Sequence, residues 1–134
     1  LVFATNFQGN LTAFDPSQRR AVWSTDASSF HSPLIIKGLI IVLNNDGSII
    51  SFSGQTLSES WTNEEYLRRG LSNATEHDGN VVFGDIEGYL HVINPLTGRT
   101  VGREKISGNP IRYVSSRGNQ LFALDSELRM FALN

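Results

Sequence analysis

The feature that most constrains this chain is one hydrophobic hairpin written four times at a nearly constant spacing. Its clearest copy runs from Val81 to Asn94, Val-Val-Phe-Gly-Asp-Ile-Glu-Gly-Tyr-Leu-His-Val-Ile-Asn. An apolar strand, a tight turn closed by Gly88 and a second strand alternating through Leu90, Val92 and Asn94 make a β-hairpin signature. The pattern returns as Asn6-Phe7-Gln8-Gly9 leading into Leu11 and Phe14, and as Asn44-Asn45-Asp46-Gly47 leading into Ile49 and Phe52. A last copy is Asp125-Ser126-Glu127-Leu128, leading into Met130 and Leu133. Gly9, Gly47, Gly88 and Leu128 are spaced by 38, 41 and 40 residues, and a second set of turn glycines, Gly38, Gly79 and Gly118, by 41 and 39. A period near 40 filled only with strands is that of β-propeller blades, which run about 40–45 residues and four strands each.

The second copy shows the grammar of a blade. Pro33 to Ile36 is followed by a Lys37-Gly38 turn, Leu39 to Leu43, the Asn-Asn-Asp-Gly turn, Ser48 to Phe52, and Leu57 to Thr62 around Trp61. Leu39 to Leu43 is apolar at every position, as expected of a strand covered on both faces by neighbouring blades. Val2 to Ala4, Val81 to Phe83 and Leu121 to Leu124 are its counterparts. Leu1 enters at the second strand of its blade and Asn134 follows a third strand, so the expected fold is all-β and an arc rather than a ring. It is a partial β-propeller of four antiparallel blades in a single domain, 1–134, with blades at 1–27, 28–66, 67–107 and 108–134, the first and last incomplete.

Composition narrows the function classes. With 40% apolar and 18% charged residues the chain has the makings of a packed core. Its 11 basic against 13 acidic residues supply no clustered positive charge for phosphate neutralisation, so nucleic acid is not an expected partner. Cysteine is absent, which removes disulfides, thiolate metal sites and a cysteine nucleophile. The longest apolar run, Leu39 to Leu43, is far below the ~18 residues of a spanning helix.

The acidic turn Asp85-Ile86-Glu87-Gly88 invites a calcium reading, but the alternate oxygen ligands and the bidentate Glu of a calcium loop are missing. Asn6, Asn44, Asp85 and Asp125 recur at equivalent places in four blades, which is the behaviour of turn architecture. His31, His77 and His91 have no metal-ligand spacing and read as ordinary surface or interface residues. Serine lacks the Gly-x-Ser-x-Gly elbow, so neither a catalytic residue nor a metal site is expected. Trp23 and Trp61 each stand 14 residues after their turn glycine, as packing residues of an outermost strand. The one break in the all-β grammar is Asn63 to Gly70, with acids first, bases last and Gly at its exit. It reads as a solvated loop between blades or about one and a half turns of helix.

The unit Gly9-Asn10-Leu11-Thr12-Ala13-Phe14-Asp15 with Trp23 resembles the pyrroloquinoline-quinone-type propeller repeat, and the third blade keeps its Thr97-Gly98. More narrowly, Gly84 to Asn94 is similar to the BamB family, propeller lipoproteins of the outer-membrane β-barrel assembly (BAM) machinery, and the likeness runs along the whole chain, including Leu67-Arg68-Arg69. Leu128 in place of the turn Gly, Gly102 in place of the Trp, Arg19 in place of the Gly of Thr-Gly and Ser53 in the place of Asp15 are departures. The resemblance implies the C-terminal half of an eight-bladed ring at the periplasmic face of the bacterial outer membrane, held by a lipid anchor upstream of this chain. It further implies a non-enzymatic scaffold without a cofactor, whose partners are the periplasmic domains of the BamA barrel subunit and nascent outer-membrane β-barrel proteins. The family's own contact loops fall before Leu1 and transfer no residues here; the candidate contact residues on this chain come from the segment that breaks the all-β grammar, Glu64, Tyr66, Leu67, Arg68 and Arg69. Two alternatives share the repeat: a quinoprotein dehydrogenase, which needs a central quinone pocket with a catalytic carboxylate, and a propeller sensor domain of a receptor.

Overall fold

The computed structural model describes residues 1–5 and 9–134. The first sheet holds β1 (Val2–Thr5), β2 (Asn10–Asp15) and β3 (Arg20–Asp26), and the second β4 (Leu34–Ile36), β5 (Leu39–Leu43), β6 (Ile49–Ser53) and β7 (Glu59–Asn63). The third holds β8 (Ala74–His77), β9 (Asn80–Gly84), β10 (Tyr89–Ile93) and β11 (Thr100–Lys105), and the fourth β12 (Ile111–Arg117), β13 (Gln120–Asp125) and β14 (Met130–Leu133). Every pairing among the described residues is antiparallel and joins strands consecutive in sequence. The sheets are the four expected propeller blades, with three, four, four and three strands.

Strand alternation explains the unbroken apolar runs. Successive side chains point to opposite faces, so Ile40 and Val42 of β5 pack with Leu11 and Ala27 of blade one, while Ile41 and Leu43 pack with Val81 and Phe83 of blade three. In β9, Val81 and Phe83 face blade two, and Val82 faces Ile111, Val114 and Leu121 of blade four. Both strands are therefore buried on two sides. The expectation fails for their outer counterparts: β1 has no fully buried residue, and in β13 Leu121 and Ala123 are buried but Phe122 and Leu124 only half so. Those strands have a blade on one side only among the described residues.

The blades are laced along one rim, where each linker runs between two hairpin turns. Ala27 N donates to Gly9 O at 2.8 Å, and Asn45 N to Ser28 O at 2.8 Å. One blade on, Arg68 N donates to Asp46 O at 2.9 Å and Ile86 N to Arg69 O at 3.0 Å; the third linker repeats this with Ile106 N to Gly88 O at 2.9 Å and Ser126 N to Pro110 O at 2.8 Å. This lacing explains the turn glycines. A Cβ on Gly47 would stand 2.1 Å from Tyr66 O, and one on Gly88 1.9 Å from Ser107 O, both at positive φ. At the fourth turn no linker among the described residues presses, and Leu128 takes the same left-handed conformation at φ 63° with its side chain exposed.

Candidate functional site

The three described turns share a backbone and differ in what their first side chain holds. Asn44, Asp85 and Asp125 each accept a backbone bond from the fourth turn residue, Gly47 at 3.0 Å, Gly88 at 3.3 Å and Leu128 at 3.0 Å. Asn44 Oδ1 accepts from Ser28 N at 2.8 Å, and its Nδ2 donates to Ser48 Oγ at 3.1 Å. Asp125 is fully buried; its Oδ1 accepts from Glu127 N and Arg129 N, both at 2.9 Å, and its Oδ2 from Ser107 Oγ at 2.7 Å. These bonds hold its carboxyl below the usual range although burial works to raise it.

Asp85 carries a larger cluster. Also fully buried, it accepts Glu87 N at 2.8 Å and Tyr89 N at 3.1 Å on Oδ1, while Oδ2 receives His91 Nε2 at 2.6 Å and Arg69 Nη2 and Nε at 2.8 and 3.0 Å. Burial would raise this carboxyl, but the bonds from His91, Arg69 and the two amides outweigh it and hold it below the ordinary range. His91 is pulled down by burial, with the Asp85 carboxylate opposing and the Arg69 and Arg103 charges assisting. The imidazole is thus neutral near pH 7, and Nε2–H is the donor to Asp85. Its Nδ1 is buried and meets no hydrogen-bonding partner among the described residues.

Of the two readings of His91, surface or interface, the structure leaves the interface one. The residue is 1% exposed and ringed by Tyr66, Phe83 and Tyr89, because its face of β10 turns toward blade two while Leu90 and Val92 turn toward blade four. His77 is likewise engaged, its Nδ1 2.9 Å from Ser116 Oγ in the next blade.

The segment Glu64 to Gly70 is a turn, not a helix. Asn63 Oδ1 caps Glu65 N at 2.7 Å, but Arg68 adopts φ 64° and Tyr66 drops into the core, which ends any helical run. The five residues proposed for partner contact divide. Tyr66 is buried against Phe83, its hydroxyl bonded to Thr100 Oγ1, and Arg69 forks onto Asp85; Glu64, Leu67 and Arg68 face solvent. Leu67 shares its rim with exposed Phe30, Ile86 and Leu128.

Among the architectural residues, Trp23 stacks edge-on against Phe52 with ring centroids 5.6 Å apart. Trp61 donates Nε1–H to Pro95 O at 2.8 Å and lies on Gly98, where a Cβ would come within 2.5 Å of its ring. Gly9 has open space at its Cβ position, and Asn6 lies outside the described residues. No group of three His, Cys, Asp or Glu side chains among the described residues could hold a metal ion, and no hydroxyl bonds to His91 that would turn the Asp85–His91 pair toward nucleophilic chemistry.

Sequence reasoning missed Arg69 and His91 as companions of Asp85. The signal lay in the repeat: the positions matching Arg69 are Ser28 and Pro110, and those matching His91 are Thr12, Ile50 and Phe131. Ionisable residues standing in columns that otherwise hold none mark the cluster.

Comparison with known proteins places this arc. A family model described as outer membrane protein assembly factor BamB matches residues 1–125. The protein of that name from Pseudomonas aeruginosa is 32% identical over 132 residues, covering 91% of this chain and 35% of its own length. That from Marinobacter adhaerens is 34% identical over 116 residues, covering 87% and 30%. The chain thus spans about a third of the length of these relatives. The crystal structure of BamB from Moraxella catarrhalis superposes with a TM-score of 0.89 at 23% identity, over 97% of this chain and 39% of that one, and shares the fold. With its propeller blades, its PQQ-like repeat and a family match over nearly all of its length, the chain belongs to the BamB family of outer membrane protein assembly factors.

Proposed function

We propose that this chain is the propeller section of a non-enzymatic scaffold subunit of the outer-membrane protein assembly complex. It works at the periplasmic face of the outer membrane, binding the periplasmic domains of the BamA barrel subunit and aiding insertion of nascent β-barrel proteins. The observation that carries this reading is the family match over residues 1–125, joined to an arc whose two buried carboxylates, Asp85 and Asp125, are bonded to the linkers that enter their blades. Asp85 is charge-paired with Arg69 and hydrogen-bonded by His91, and Asp125 is hydrogen-bonded by Ser107 and two amides, which leaves an exposed rim for contact.

The contact surface on this chain is that rim. Leu67 and Arg68 lie on the linker that Ile86 joins through Arg69, with Phe30 and Leu128 also exposed in the linkers and turns of the arc, and exposed apolar side chains of this kind suit a protein partner. The test is calorimetric titration of the full-length protein with the BamA periplasmic domains. Substituting Leu67→Ala together with Arg68→Ala should weaken binding by about tenfold, the loss expected of one well-packed contact patch. No binding by the unsubstituted protein would overturn the scaffold reading, and unchanged affinity of the double variant would overturn the rim as its surface.

A further inference from the structure

A cavity of about 270 Å³ opens between the linker after β7 and the β10–β11 hairpin, lined by Glu65, Tyr66, Arg69, His91, Thr100 and Arg103. Every one of these side chains is polar. Arg69 uses Nε and Nη2 on Asp85, which leaves Nη1, and Arg103 enters no ion pair among the described residues. The Arg103 guanidinium lies 5.4 Å from the centroid of the Tyr89 ring, with Arg69 and Lys105 each at 5.8 Å, so three cations gather on one aromatic ring. On the inner wall stands His91, 1% exposed, with Nε2 committed to Asp85 and Nδ1 lacking a partner. A buried nitrogen of this kind is costly to leave unsatisfied.

We propose that this cavity is a binding site for a carboxylate group, held by the Arg103 guanidinium and Nη1 of Arg69 and bonded to Nδ1 of His91. A guanidinium pair recognises the planar oxygens of a carboxylate, and a carboxylate oxygen accepts from Nδ1 once that nitrogen carries a proton. Binding therefore takes one proton from the buffer onto His91, which then bridges the ligand and Asp85 as an imidazolium. The groups facing it are Asp85 and Arg69 at its Nε2 side, Glu87 3.6 Å from Arg69, Tyr66 and Glu65 on the linker, Tyr89 on its own strand and Arg103 on β11. Glu65 accepts from Thr100 Oγ1 at 3.3 Å and is the one carboxylate on the lining, so it competes with the ligand. The source is a free small acid or an acidic side chain of a polypeptide.

The test uses the full-length protein titrated with acetate, with a short end-blocked peptide carrying one internal Glu, and with inorganic phosphate. Calorimetry in two buffers of different ionisation heat counts the proton, and the imidazole nitrogen shifts of His91 report Nδ1 directly. Expected are saturable binding of a carboxylate probe that strengthens from pH 8 to pH 6, with uptake of about one proton and movement of Nδ1 to its protonated shift. Arg103→Gln, at an exposed position that the fold does not need, should weaken binding by about tenfold or more. Glu65→Gln should strengthen it. Binding of acetate alone identifies a free small acid; binding of the peptide as well identifies a polypeptide carboxylate. Failure of both carboxylate probes to saturate, a His91 Nδ1 that does not respond, affinity indifferent to Arg103→Gln, or phosphate binding tighter than either carboxylate would each overturn the assignment.

Discussion

The hairpin turns of blades two and three have the same backbone and opposite burdens. Asn44 and Asp85 open four-residue turns closed by a left-handed glycine, and both turns are pinned by the linker that crosses them. Around Asn44 the partners are neutral, an amide and a hydroxyl. Around Asp85 they are a guanidinium and an imidazole, and the carboxylate is fully buried. A repeat can therefore keep its geometry while one copy acquires an ionic core, because the backbone bonds already fix the turn and leave the first side chain free to vary.

The sharpest way to break this comparison is to remove both side chains. Asp85→Ala leaves Arg69 half-buried and His91 buried without their carboxylate, and loss of one partner of a buried pair costs about 3–5 kcal/mol. Asn44→Ala removes neutral hydrogen bonds at a partly exposed turn and should cost about 1 kcal/mol. Denaturant midpoints of the two full-length variants measure the difference; equal losses would show that Asp85 serves only as a turn residue.

The contrast also shows what could be read from the sequence. The period of Gly9, Gly47 and Gly88 was enough for the blades, because the spacing of a repeat reports the size of its unit directly. The double burial of β5 and β9 followed from their unbroken apolar runs. What escaped was set by side chains meeting across long separations: Arg69 reaches Asp85 only because the linker folds back over the turn, and His91 faces the same carboxylate only because of its strand parity. Tyr66 escaped for the same reason, since a run of Glu, Tyr, Leu and Arg looks solvated until Phe83 is placed beneath its ring.

A second prediction concerns pH. Burial lowers the folded-state titration of His91 below its ordinary value of 6.5, so between that value and the lowered one the unfolded chain binds more protons than the folded chain. Stability from this group is fully present above pH 6.5 and is lost as pH falls through the folded value, at up to about 1.4 kcal/mol per pH unit. Asp85, also lowered, adds a loss of the same sign only in the acid range below its ordinary 3.8. His91→Gln, which keeps a donor for Asp85, should flatten the profile just below pH 6.5 and leave the acid limb in place. Stability curves at closely spaced pH values decide this, and a variant that keeps the full slope would assign it to another group.

The smallest expected effect comes from the outer strands, where blade three again departs from its neighbours. Trp23 pairs with Ala13 and Trp61 with Ser51, each beside a register shift, and Gly102 pairs with Val92 beside the matching shift. The equivalent place is thus filled by an indole toward blade two, by an indole toward blade three, and by no side chain toward blade four. A cavity of about 360 Å³ lies there, lined in part by Val92, Gly102, Leu121 and Leu133. A Cβ at Gly102 would meet nothing within 4 Å, and the position does not require a left-handed backbone. Gly102→Trp should therefore stabilise the full-length protein by about 1 kcal/mol, the part of an indole's burial that survives imperfect fit and lost rotamer freedom. Val101→Trp, one residue away at the unpaired position of that register shift and exposed to solvent, should give no such gain, since the benefit depends on filling the cavity as well as on apolar area. A raised denaturant midpoint for the first variant alone would show that the repeat's missing tryptophan, and not the local β-propensity of the strand, sets the looser packing between blades three and four.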